Sequence, residues 1–213
     1  MMSIVEDKIL DKGFVYEQPW FYNNRFSLRC ELGVGKGVKY MRNAVKRAFT
    51  IYDMLFQDGA DCLFFNDYIY DYNSDSEVGG MVVKNILKAE NNRLKFTLNY
   101  LKRYKKHKII GNLKTDSDED DLIRVDRIVC YLNGDKRSYN IIKSQIKRQN
   151  NPIVSFCSFK NECVFSVYDD RGCDIVFFDK NVFIEYYEKL KPFFLDYDKK
   201  EMAKKYQSAI NEI

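Results

Sequence analysis

The chain has one histidine, one tryptophan, three prolines and no Cys-x-x-Cys pair in 213 residues. Each shortage excludes something. His107 lies in the lysine-rich run "KRYKKHK" (102–108), so a serine or cysteine nucleophile has no imidazole base with a visible orienting partner. That setting predicts a solvated surface histidine. The six cysteines, Cys30, Cys62, Cys130, Cys157, Cys163 and Cys173, lack the paired spacing of a structural zinc site. Most sit inside apolar runs and read as small buried hydrophobes in a reducing compartment. Three prolines and ten glycines argue against long linkers and low-complexity tails. No run of 18 apolar residues exists, so no membrane span is predicted. The opening "MMSIVEDKILDKGF" carries charges where a secretory signal needs an apolar block, and a cytoplasmic location is expected. Charge of one sign is also scarce: the net value is +4 and both signs are mixed along the chain, which argues against a dedicated nucleic-acid partner.

What is abundant is aromatic. Sixteen tyrosines and sixteen phenylalanines are too many to stay exposed without large sticky patches, so many must line a core. The length suits one globular domain over 1–213; a division into two sub-lobes, about 1–110 and 122–213, joined by a charged connection, is the alternative.

Periodicity sets out the elements. "RFSLRCELG" (25–33) alternates Phe26, Leu28, Cys30 and Leu32 against Ser27, Arg29 and Glu31, as a half-buried strand does. In "VKYMRNAVKRAFTIYDMLF" (38–56) the apolar residues return every three or four positions, which is an amphipathic helix. "CLFFNDYIY" (62–70) reads as a strand and 78–89 as a helix, while 93–100 fits either period. A basic run (102–108) and an acidic run, "DSDEDD" (116–121), bracket what is expected to be an exposed, mobile connection. A strand follows at 124–132, then a helix from Tyr139 to about Gln149 capped by Ser138. Strands at about 153–159, 163–168 and 173–178 come next, and helices at about 182–190 and 199–211, the last capped by Asp198. Adjacent hairpins imply antiparallel pairing, so the expected class is α+β: a mainly antiparallel sheet with helices packed on one face.

The glycines of "ELGVGKGVKYM" (31–41) resemble a phosphate cradle, but Val38 and Gly37 break the dinucleotide and P-loop templates; a strand-to-helix turn is predicted. The acidic loops at 71–82 and 116–127 lack the glycine and the final glutamate of a calcium loop. No metal or cofactor is expected. The remaining candidates are carboxylates with one arginine: Asp169, Asp170, Arg171 and Asp174 in "YDDRGCD", and Asp196 and Asp198 in "LDYD". Two carboxylates brought together can bind a metal or share a proton. Each residue of "DDRG" also has a turn role, with Gly172 supplying a positive φ.

"VFSVYDDRGCDIVFFDK" with "YYEKLKPFFLDYDKKEMAKKY" resembles the C-terminal signature of a bacterial domain-of-unknown-function family numbered 3885; the matching residues are Tyr168 to Asp174 and Leu195 to Asp198. "RFSLRCELG" and "YMRNAVKRAF" are similar to that family's opening. The family pattern has a tryptophan before its second acidic segment; here Lys191, Pro192, Phe193 and Phe194 precede Leu195, and Pro192 should bend the approach. The resemblance implies no activity, cofactor or catalytic residue. With no complete catalytic motif, the expected function is non-enzymatic protein binding, as in an immunity or antitoxin-like protein. Two alternatives are a metal-dependent hydrolase using Asp169, Asp170 and Asp174, and a weak nucleic-acid binder using 102–108. The oligomeric state stays open.

Overall fold

A computed structural model describes residues 12–15, 19–70, 106–111, 122–131, 138–147 and 153–212, with backbone alone over 66–70, 106–111 and 122–131. In chain order its elements are α1 (Trp20–Asn23), β1 (Ser27–Glu31), α2 (Val38–Leu55), β2 (Cys62–Tyr70), β3 (Lys106–Gly111), β4 (Leu122–Tyr131), α3 (Ser138–Ile146), β5 (Ser155–Ser158), β6 (Cys163–Val167), β7 (Gly172–Phe177), α4 (Lys180–Leu190) and α5 (Lys199–Ile210). Short 3₁₀ turns at Lys191–Phe193 and Asp196–Asp198 link the last two helices. The expected elements at 78–89 and 93–100, and the acidic run 116–121, lie outside the described residues.

The strands form one antiparallel sheet in the order β1-β7-β6-β5-β2-β4-β3, so strands from both halves of the chain lie side by side. The class is α+β. Register builds the core directly. Leu28, Ile175, Phe165, Phe156 and Leu63 pair in turn across five strands, and all five are buried. Each such side chain contributes roughly 1.5–3 kcal/mol when fully buried. Ala44, Ala48, Ile51 and Leu55 of α2, Ile142 and Ile146 of α3, and Phe183 and Leu190 of α4 cover this face. A smaller cluster on the opposite face joins Phe64, Cys157, Val164 and Val176 to Phe14 and Trp20.

Several expectations change at the residue level. Lys106–Gly111, expected in part as an exposed connection, is an edge strand paired to β4. The helix at 20–23 was not expected; Pro19 precedes it, and four residues show no period. Gly35 and Gly37 have φ of 97° and 60°, so the glycine-rich stretch is a strand-to-helix turn that a side chain would strain. Gly172 is not in the left-handed region. Pro192 ends α4 by entering a 3₁₀ turn, after which Phe194 bridges to Cys30 and the Leu195 N–H donates to the Arg29 carbonyl at 3.2 Å. That segment covers the open edge of β1, which would otherwise present unpaired backbone groups.

Candidate functional site: a buried arginine clamp

On the other face of the same ladder a polar row runs beside the smaller apolar cluster. Phe64, Ser155, Ser166, Asp174 and Arg29 pair in turn from β2 to β1. Ser155, Ser166 and Asp174 are buried, and the two serine hydroxyls are 3.2 Å apart. A buried carboxylate needs a partner, and the register supplies one. The Leu32 N–H donates to Arg171 O and the Phe177 N–H to Phe26 O. These bonds make the even-numbered positions of β1 the hydrogen-bonded ones. Arg29 and Asp174 therefore face each other at a non-hydrogen-bonded pair, where side chains approach most closely. Arg29 Nε donates to Asp174 Oδ1 at 2.7 Å and Nη2 to Oδ2 at 2.9 Å, a two-pronged contact that fixes orientation as well as charge. The Phe21 N–H donates to the same Oδ2 at 3.2 Å.

Arg29 also gathers the C-terminal segment. Its Nη1 lies 3.6 Å from Asp198 Oδ2, and the Tyr22 hydroxyl donates to Asp198 Oδ1 at 2.8 Å. The rings of Phe21, Tyr22 and Tyr168 lie 5.1, 5.0 and 5.5 Å from the guanidinium carbon. Lys205 of α5 completes the cluster: its ammonium donates to the carbonyls of Phe21 at 2.8 Å and Asn24 at 2.6 Å, and to Ser27 Oγ at 3.1 Å. Those carbonyls close α1, so a cation there also suits the helix's negative end.

The electrostatics follow. Burial alone would lower the Arg29 pKa, but the hydrogen bonds and charge of Asp174 outweigh it and the net shift is upward. Lys205 is shifted down by burial, against the pull of Glu201 and Asp174. Tyr168 is raised, chiefly by burial and then by the Asp174 charge. Tyr22 is raised by its hydrogen bond to Asp198, with a smaller push from Tyr197. Gly172 owes its identity to this cluster: a Cβ there would stand 2.1 Å from Tyr168 Oη and 2.9 Å from Cys30 O. It is a close-approach glycine, not the positive-φ glycine its turn position suggested.

The three segments meeting at Arg29 are "RFSLRCELG", "YDDRGCD" and "LDYD". A family model described as Domain of unknown function (DUF3885) matches residues 7–198. The chain belongs to the DUF3885 family. No curated protein and no solved structure matches it significantly.

In this DUF3885 chain, the candidate residues separate into two groups. Asp174 and Asp198 come together at Arg29. Asp169 accepts from the Arg171 backbone N–H and Nε, both at 2.7 Å, which closes the hairpin tip on itself. Asp170 is partly exposed at that tip. Asp196 faces solvent and pairs with Lys199 at 2.5 Å. Asp198 stands at the N-cap position of α5 but makes no side-chain cap bond, because both its oxygens turn inward to Arg29 and Tyr22. Among the described residues, no three His, Cys, Asp or Glu side chains are grouped as a metal site requires. The partners of Asp174 were not foreseen. Alternation placed Arg29 on the polar side of its strand, and nothing marked that side as covered. One signal was available: Asp174 interrupts the apolar strand "CDIVFF", and a buried acid needs a cation on a facing strand.

Proposed function

We propose that this chain is a non-enzymatic protein-binding module of the immunity or antitoxin-like kind, with the turn Asp196–Asp198 at the centre of its contact surface. The supporting observation is the contrast between neighbours: Tyr197 is 86% exposed, while Asp198 beside it is 4% exposed and held by Arg29 and Tyr22. A large ring left in water on an anchored turn gives up little freedom when a partner covers it. Tyrosine is also enriched where protein surfaces meet. Tyr22, 48% exposed, and the carboxylate of Asp196 extend the same surface. A hydrolase built on Asp169, Asp170 and Asp174 has less support, since arginines engage Asp169 and Asp174.

The cytoplasm is the proposed compartment. The five cysteines with described side chains are buried and in no disulfide, although Cys30 faces Cys173 and Cys62 faces Cys157 across the ladders. No described helix is long and apolar enough to cross a membrane.

Co-purification from native lysate at low salt tests the reading. The chain should retain a protein partner, Tyr197→Ala should weaken retention at least about tenfold, and Lys189→Ala should leave it unchanged. Failure to retain any protein, or equal retention by Tyr197→Ala, would overturn the proposal. A rise in melting temperature with Mg²⁺ or Mn²⁺ that Asp170→Ala abolishes would replace it with the hydrolase reading.

A further inference from the structure

The modest net charge conceals an uneven distribution. Many exposed cations sit beside an acid: Lys12 with Glu162, Arg171 with Asp169, Lys189 with Glu185 and Lys204 with Glu201. The solvent side of the α2–α3 layer differs. Lys36, Lys39, Arg42 and Lys46 on or just before α2, and Lys143 and Lys147 on or just after α3, are exposed, and none pairs with an acid among the described residues.

The topology sets the first half of α2 beside the second half of α3, and the six cations lie on or next to those halves. α2 begins beside the β6–β7 hairpin, where the Leu32 and Gly33 N–H groups donate to Arg171 O. α3 finishes at that same end, where Gln145 Nε2 donates to Val154 O at 3.2 Å and Val167 O at 3.1 Å. At the opposite end the Tyr139 hydroxyl meets Asp53, and the Tyr139 and Phe49 rings are 4.7 Å apart. The helices therefore run antiparallel with their basic ends together. The first turn of α2 contains no acid. Lys39, Arg42 and Lys46 follow the i, i+3, i+7 spacing of a single helix face and span about 10 Å along its axis.

We propose that this face docks the phosphate backbone of a nucleic-acid duplex, independently of base sequence. A duplex presents one charge per about 1.7 Å of axis, hence about six over that span. The cations are mostly lysine, which is depleted from protein–protein interfaces, whereas interfaces with nucleic acid are strongly basic. This site is separate from the Tyr197 turn and does not depend on the function proposed above.

Fluorescence anisotropy with a labelled duplex of about 20 base pairs, from low to moderate salt, tests the assignment. Binding should weaken as salt rises, with a log–log slope approaching about −5 if all six cations contribute. Lys39→Glu with Lys46→Glu, and separately Lys143→Glu with Lys147→Glu, should each weaken binding about tenfold or more at low salt and flatten the slope by about two. Lys189→Glu with Lys204→Glu should leave it unchanged. All these side chains are exposed, and unaltered melting temperatures would show that the variants fold. Absence of binding at low salt, or binding that the α2 and α3 reversals leave intact, would overturn the proposal. Equal affinity for polyglutamate with the same salt slope would assign the face to an acidic protein instead, and would overturn it too.

Discussion

At the scale of single residues, one tightly constrained position has no side chain. Gly172 is needed because Tyr168 lies across it on the way to Arg29. Gly172→Ala should therefore destabilise the protein by about 1–3 kcal/mol through overpacking, read from urea unfolding. Removing the ring should relieve part of that cost. In the background of Tyr168→Ala, the same substitution should cost less, since only the approach to Cys30 O remains. Equal costs in both backgrounds would mean the ring does not set the requirement.

At the scale of elements, two aspartates in similar positions behave differently. Asp179 precedes α4 and accepts from the N–H groups of Asn181 at 2.7 Å and Val182 at 3.0 Å. Asp179→Ala should cost about 1 kcal/mol in an unfolding titration, the usual value for a lost cap. Asp198 precedes α5 and looks like a cap in sequence, yet Arg29 and Tyr22 hold its side chain instead. Periodicity located α2 at 38–56 against the observed Val38–Leu55, and β2 at the observed 62–70, because apolar spacing reports directly on which face meets a core. It did not find β3, whose "KHK" start masks a short strand paired at the sheet edge. It also did not show that Arg29 is covered, since alternation says which residues share a face but not what packs over that face. The acidic candidates were visible as residue types. Which of them meet depends on register between strands more than a hundred residues apart in sequence.

At the scale of the whole molecule, tyrosines whose pKa folding raises set the alkaline limit. Tyr139 is pushed up to about 12, first by its hydrogen bond to Asp53 and then by burial; Tyr52 and Tyr168 are raised mainly by burial. A phenol whose folded pKa exceeds its unfolded value near 10 adds stability that is complete below that pH and is lost as pH climbs through the folded value. Lys205 acts in the opposite sense: its lowered pKa means that the cost of burying its charge is relieved as pH rises. Tyr22, Tyr186 and Tyr187 are raised as well, so the phenols outweigh the one amine; a net fall in urea midpoint above about pH 10 is predicted, and Tyr139→Phe should make that fall shallower.

The central claim is that Arg29 and Asp174 form a clamp that ties the first and last parts of the chain to one sheet. Removing one member of a buried pair strands the other, at about 3–5 kcal/mol, whereas replacing both with apolar residues costs less, with Asp198 keeping its hydrogen bond from Tyr22. The direct measurement is global unfolding of Arg29→Met, Asp174→Leu and the double variant. A double variant no less stable than the weaker single, with a coupling of at least about 2 kcal/mol, is the predicted result; losses that simply add, to within about 0.5 kcal/mol, would contradict the account.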